Sequence, residues 1–362
     1  MKLLTRLDSP LQLPSPVLTV GTFDGVHLGH RAILEAVCRE AGRRRGSAVA
    51  VTFDRHPRAV IAPESAPLLL MSREEKLREL RAAGVEVLIE LPFTPEFSRI
   101  RPEDFVEQVI VRKVGAAAVV EGHDHGFGRG RSGDASTLQA LSARFGFEFI
   151  EVGPQFVDGA PVSSTRLRGL IATGRVEDAM RLLGRSYGLL GEVARGDGRG
   201  RQIGFPTANV RPDAPDKLLP GNGVYAVRAR VDSDWMEGVA NIGSRPTFGG
   251  TGRSVEVHIL DFSGDLYGRG IELAFLSRLR EERKFEGIPD LVAQIHEDVR
   301  VARQRLKATS MTPITMEVSF AADEGREKRA VECAPDARDG HRLLGGAGRA
   351  PHGKDPASHG AF

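Results

Sequence analysis

The chain has 362 residues and only two cysteines, Cys38 and Cys333, far apart in sequence. That excludes a disulfide scaffold and a four-cysteine zinc site, and it fits a reducing cytoplasm. No stretch approaches the roughly 20 apolar residues of a membrane helix. The start, Met1-Lys2-Leu3-Leu4-Thr5-Arg6-Leu7-Asp8, has no long apolar run and no small-residue cleavage site, so it does not read as a secretory signal. Charge of one sign is also missing. With 50 basic and 48 acidic residues the formal net charge is +2, which gives no global drive toward nucleic acid. The run Arg43-Arg44-Arg45 reads as a solvated helix end, where cations belong.

What is present is ordinary globular composition, 41% hydrophobic and 27% charged, enough to bury a sizeable core. At roughly 150 residues per domain the length corresponds to about 2.4 domains. The first half alternates strand and helix patterns. Apolar runs at Val17–Gly21, Ala48–Phe53, Val85–Leu91, Ala116–Val120 and Phe147–Val152 read as strands. Helices are expected from near Gly29, behind the capping box at Ser72-Arg73-Glu74-Glu75, from Pro102, and near Ala135–Arg144. This order predicts a doubly wound α/β domain with a parallel sheet, whose ligands sit beyond the carboxyl ends of the strands. Two helical segments follow, Ser164–Thr173 and Val176–Leu183. After Gly184 the texture changes to short strands between Gly and Pro turns, which predicts a small antiparallel β-barrel. A helix with Leu291, Ile295, Val299 and Ala302 at helical spacing closes it. Expected units are therefore residues 1–185, 186–306 and a disordered tail, 307–362, in which Ile314–Phe320 is the one strand-like run. No internal repeat is visible.

The strongest chemical signal is Gly21-Thr22-Phe23-Asp24-Gly25-Val26-His27-Leu28-Gly29-His30, between the first strand and the first helix. Amides at a helix N-terminus attract phosphate, and Gly29 permits close approach of the backbone. His27 and His30, three apart, can both point at the same phosphates and donate hydrogen bonds to developing charge. A zinc pair is the other reading, but no cysteine or third nearby histidine completes it. Three further segments stand in order. They are Phe53-Asp54-Arg55-His56-Pro57, Gly122-His123-Asp124-His125-Gly126-Phe127-Gly128, and Val162-Ser163-Ser164-Thr165-Arg166-Leu167-Arg168. Taken alone, the first is a strand end and the third a helix cap with arginines suited to phosphate. Gly128-x-Gly130-x-x-Gly133 has the form of a dinucleotide fingerprint, but it follows no strand directly and is set aside.

In the second half, Gly204-Phe205-Pro206-Thr207-Ala208-Asn209 places a hydroxyl and an amide two apart in an extended segment, so both point the same way. Both are oxygen ligands suited to Mg²⁺. The preceding Gly196-Asp197-Gly198-Arg199-Gly200-Arg201 is a glycine-rich loop or hairpin able to fold over phosphates. The Walker pattern is absent, so a kinase here is not of the P-loop type.

Together these segments resemble the bacterial bifunctional riboflavin kinase/FMN adenylyltransferase family, the FAD synthetases, over roughly residues 15 to 306. His-x-Gly-His in such a sheet is the mark of nucleotidyltransferases, and Gly-Phe-Pro-Thr-Ala-Asn resembles the riboflavin kinase signature. Further matches are Gly223-Val224-Tyr225, Asn241-Ile242-Gly243-x-Arg245-Pro246-Thr247, Val255-Glu256-x-His258, Asp261-Phe262, Leu266-Tyr267-Gly268 and Arg280-x-Glu282-x-Lys284-Phe285. Two positions depart from the family pattern. His125 stands where a phenylalanine is usual, and Ser186 replaces the proline of Gly-Arg-Pro-Tyr.

The resemblance implies catalytic roles for His27, His30 and Glu256, the last as general base. It implies ATP contacts in the adenylyltransferase from Gly21, Phe23, Asp24, Gly29, Ser164, Thr165 and Arg168. His56, Asp124 and Phe127 would contact flavin. In the kinase, Gly204, Thr207 and Asn209 would bind ATP, and Thr207 and Asn209 would hold Mg²⁺. Riboflavin, FMN, FAD and ATP are the implied small-molecule partners. Neither nucleic acid nor membrane is expected, and the oligomeric state is left open. Two alternatives remain: a kinase whose adenylyltransferase site is disabled, and a flavin- or nucleotide-binding regulator without catalysis.

Overall fold

The structure, a computed structural model, describes residues 1–196, 199–244 and 252–308. The expected tail beyond residue 308, with its strand-like run, and the Arg245-Pro246-Thr247 end of one motif lie outside the described residues. So do Asp197 and Gly198 of the glycine-rich loop.

The first layer is a six-stranded sheet in which every pairing is parallel. Its elements run β1 (Lys2–Leu4), β2 (Val17–Val20), α1 (Leu28–Arg44), β3 (Ala48–Phe53), α2 (Pro57–Ile61) and α3 (Arg73–Ala82). They continue with β4 (Val87–Leu91), α4 (Pro102–Phe105), β5 (Ala118–Gly122), α5 (Ala135–Phe145) and β6 (Glu148–Val152). Helix α4 runs on as a π-helix over Val106–Val114, and Val106, Ile110 and Val114 face the core. The capping box forms: Ser72 accepts from the Glu75 amide and Glu75 from the Ser72 amide. At the end of α1, Arg43 and Arg44 both pair with Glu40, at 2.8 and 2.7 Å.

Strand order is β1-β4-β3-β2-β5-β6. From β2 the chain winds one way through β3 and β4, and from β5 the other way to β6. The order therefore reverses between β2 and β5, the place beyond whose carboxyl ends ligands of such sheets bind. The loops there are 21–27, which ends on His27, and 123–127, which carries His123 and His125.

A short hairpin, β7 (Phe156–Val157) and β8 (Ala160–Pro161), leads to α6 (Ser164–Ala172) and α7 (Val176–Leu183). Then β9 (Tyr187–Ala194), α8 (Arg199–Gln202), β10 (Ala208–Pro212), β11 (Gly223–Val231), β12 (Asp234–Ser244), β13 (Arg253–Ile259) and β14 (Gly270–Arg280) follow. The six strands close into an antiparallel barrel in the order β10-β13-β12-β11-β14-β9. Helix α9 (Ile288–Ala308) lies on its outside. Alternation along β11 serves both faces. Tyr225 and Val227 fill the interior, while Val224 and Ala226 pack outward with Ala302 and Leu306 of α9. Arg280 holds α9 through a two-point bond to Asp298, at 2.9 and 2.8 Å.

Sheet layer and barrel share one core. Phe23, Leu34, Leu70, Leu167 and Ile171 belong to the same buried cluster as Tyr187, Leu189, Val227 and Phe275. Across the junction, Leu69 and Leu218 exchange backbone hydrogen bonds with Asp216 and Leu69 at 2.8 Å. The Lys217 ammonium is buried there between the Glu75 carboxylate, the Leu70 carbonyl and the Tyr187 ring.

Candidate functional sites

The crevice site is built on the 21–30 segment. His27 caps α1: its Nδ1 accepts from the His30 amide at 3.3 Å. That bond leaves the ring proton on Nε2, a donor. The His27 and His30 rings stack, with centroids 3.8 Å apart and an 11° tilt. Phe23 backs them edge-on to His30 at 5.5 Å and is itself buried. A Cβ on Gly29 would press on the His27 ring at 3.2 Å, so glycine is what lets that ring fold over the helix start. Burial pushes His27 down to about 4, against the pull of Asp124. Burial, then the neighbouring His27, drives His30 well below the usual imidazole value. Both rings are therefore neutral at pH 7 and act as hydrogen-bond donors rather than cations.

Asp24 is buried, and its carboxylate is taken up within the protein. It accepts from the amides of Leu70 and Met71, at 2.9 and 3.2 Å, and pairs with Arg168. Burial raises its pKa, with Arg168 acting the other way. Its carbonyl accepts from the Ser164 hydroxyl at 2.8 Å. These bonds bring the N-terminus of α6, capped by Ser163, beside that of α1. Thr165 lies exposed in the first turn of α6. Two helix N-termini and Arg168 thus converge at the switch point, an arrangement whose amides suit an anion.

Of the residues expected to contact flavin, His56 caps α2 by accepting from the Arg58 amide at 3.2 Å. Burial, and then Arg168, lowers it to about 4. Phe127 is buried in the core cluster below the crevice and ends a run of rings, Phe53, Phe93, Phe97, Phe105 and Phe127, at centroid spacings of 5.1 to 6.2 Å. His125 extends that run by stacking on Phe127 at 5.8 Å, and its Nδ1 lies 3.3 Å from the buried Glu121 carboxyl. Asp124 stands exposed at the turn, within electrostatic reach of His27. Lys76, from α3, is a cation that sequence reading misses. Its buried ammonium bonds the Phe53 carbonyl at 3.2 Å, and its pKa is lowered by burial. No local motif marks it.

The second site lies on the outer face of the barrel. Val255 and Val257 point inward, so Glu256 between them points out. Register sets Glu256 opposite Asn209 on β10 and opposite Asn241 on β12. Directly opposed residues share a face, which makes a polar row of Asn209, Glu256 and Asn241. Thr207 Oγ lies 3.5 Å from the Glu256 carboxylate. Gly204 has φ 87° and turns the chain toward β10. Phe205 packs against His258 and His296 at 5.5 and 5.0 Å, fixing this segment to β13 and α9. A Cβ on Gly196 would collide with the Asn209 amide, so the glycine-rich loop begins in contact with the row. Glu282, beside Gly243 and the Asn222 amide, forms one rim. Among the described residues no cluster of three or more His, Cys, Asp or Glu could hold a metal ion by itself. The neutral oxygens of Thr207 and Asn209 beside Glu256 do suit Mg²⁺ arriving with phosphate.

Comparison with known proteins finds two family matches along the chain. Residues 10–166 match the FAD synthetase family, and residues 183–306 match the riboflavin kinase family. The bifunctional riboflavin kinase/FMN adenylyltransferase of Escherichia coli (strain K12) is 36% identical over 307 residues, 84% of this chain and 97% of that protein. That of Haemophilus influenzae is 38% identical over 288 residues, 79% of this chain and 92% of that protein. A crystal structure described as a macrolide-efflux protein from Streptococcus pneumoniae superposes with a TM-score of 0.77 at 31% identity, covering 83% of this chain and 98% of that one. Among the described residues here, no helix is long and apolar enough to cross a membrane. The chain belongs to the family of bifunctional riboflavin kinase/FMN adenylyltransferases.

Proposed function

We propose that residues 186–306 phosphorylate riboflavin with ATP, giving FMN and ADP, and that residues 1–185 then adenylylate FMN with a second ATP, giving FAD and pyrophosphate. The observation that carries the reading is the pairing of a phosphate-suited crevice at the β2/β5 switch point with the Thr207–Glu256 constellation on the barrel.

In the kinase, Glu256 accepts the proton of the riboflavin 5′-hydroxyl as its oxygen attacks the γ-phosphorus and ADP leaves. Asn209 and Asn241 flank it in register on the same face of the barrel. Thr207 and Asn209 would hold Mg²⁺, which neutralises phosphate charge when bound with the nucleotide. In the adenylyltransferase no protein nucleophile is needed. An FMN phosphate oxygen attacks the α-phosphorus, and pyrophosphate departs. Neutral His27 and His30, the α1 and α6 amides and Arg168 bind and stabilise the charge in transit.

The test is direct. Purified protein is incubated with riboflavin, ATP and Mg²⁺, and flavins are separated by chromatography. A second reaction starts from FMN and ATP, with release of pyrophosphate measured. Both products are expected. Absence of FMN and FAD from a folded preparation overturns the reading.

A further inference from the structure

The loop that aims the two histidines is strained. Phe23 has φ 48° and Val26 φ 38°, both in the left-handed region, with Gly25 between them at φ 96°. A β-branched residue rarely adopts that conformation, and such strain persists only where surrounding contacts over-determine it. From above, Asp24 supplies some of those contacts. From below, the loop rests on Arg185.

Arg185 is 4% exposed and sits between α7 and β9. Its guanidinium donates to the carbonyl of Gly25 at 3.0 Å and to that of Val26 at 3.5 Å. Its Nε pairs with Glu79 of α3 at 2.9 Å. The other oxygen of Glu79 meets Arg31 of α1 at 3.0 Å. Arg31 in turn donates its amide to the His27 carbonyl at 2.9 Å. The two carbonyls that Arg185 grips are those immediately before His27. By sequence, though, Arg185 lies in the stretch matching riboflavin kinase, beyond the stretch matching FAD synthetase.

We propose that Arg185, which closes the adenylyltransferase part of the chain and falls within the stretch matching riboflavin kinase, is a positioning residue of the adenylyltransferase: its planar fork fixes the Gly25 and Val26 carbonyls and so sets the aim of His27 and His30. The proposal rests on the adenylyltransferase reading above. A lysine keeps the charge but has no fork, and cannot span two carbonyls and Glu79 in one plane.

The experiment uses full-length Arg185→Lys and, as a second variant, Arg185→Met. FAD formation from FMN and ATP is divided by FMN formation from riboflavin and ATP in the same preparation, so that the folded fraction cancels. We expect Arg185→Lys to lower this ratio about tenfold or more, in kcat, with KM for FMN within about twofold, because the misplaced groups act on the transition state. Arg185→Met should lower it further. An unchanged ratio, including one in which both activities fall together, overturns the proposal, as does a loss confined to KM. Wild-type protein that makes FMN but no FAD would instead refute the adenylyltransferase reading.

Discussion

The two sites solve the same problem, holding ATP phosphates, by different means. The crevice site is organised by charge that never reaches solvent. Asp24, Glu79 and Arg185 are consumed in internal bonds, and the groups proposed to face substrate are neutral rings, backbone amides and Arg168, which Asp24 holds in place. The barrel site is organised by strand register. Glu256 stands between two asparagines because β10, β13 and β12 pair as they do. A site of the first kind is vulnerable to changes far from the reacting atoms. A site of the second kind is vulnerable mainly to its own side chains and to whatever touches them.

The largest effect expected from this contrast is at the base. Glu256→Gln should reduce riboflavin phosphorylation about 10²–10⁴-fold, and FAD formation from supplied FMN should stay within about twofold, as separate product assays will show. Next, His30→Ala should lower FAD formation by about 10²–10³-fold, the usual cost of one preorganised donor. Riboflavin phosphorylation is the control, and a matching fall there would break the comparison. Smaller again is Gly196→Ala. The added methyl collides with the Asn209 amide, and a flexible side chain can give way. We expect about a tenfold loss of kinase rate with adenylylation intact.

Acid should act through the buried histidines. His27, His56 and His125 are each lowered to about 4 in the fold, chiefly by burial. In the unfolded chain they take up protons near 6.5. As pH falls from there toward 4, the unfolded state binds more protons and stability drops; above 6.5 this contribution is fully present. Urea midpoints at about pH 7.5 and 5.5 should therefore fall on acidification, and a rise would contradict neutral histidines in the fold. The smallest effect is expected at the C-terminus. Truncation after Ala308, beyond both family matches, should leave the two rates within about twofold.

Local chemistry was legible and long-range chemistry was not. The bounds of β3, the Ser72/Glu75 box and the His27-x-Gly-His30 turn are written in adjacent residues, and reading them required no partner. For Asp24 the resemblance implies an ATP contact, without saying which of its atoms would make it. Its carboxylate bonds residues 46 and 144 positions away, a choice set by packing that no neighbouring residue announces. Lys76 and Lys217 carry no motif at all; each became visible only when a distant carbonyl or carboxylate closed around it. Strand β1 was missed for a different reason. Three residues give too short a run for alternation to show, and their pairing with β4 supplies the order.

The cluster shared by sheet and barrel has a consequence for the life of the protein after synthesis. With Tyr187, Leu189 and Phe275 packed in the same cluster as Phe23 and Leu167, neither half can come apart without exposing the other. A ligand that binds the native state of one half should therefore raise the unfolding midpoint of the shared core, by mass action. Riboflavin added to the protein should accordingly slow the loss of FAD-forming activity on heating.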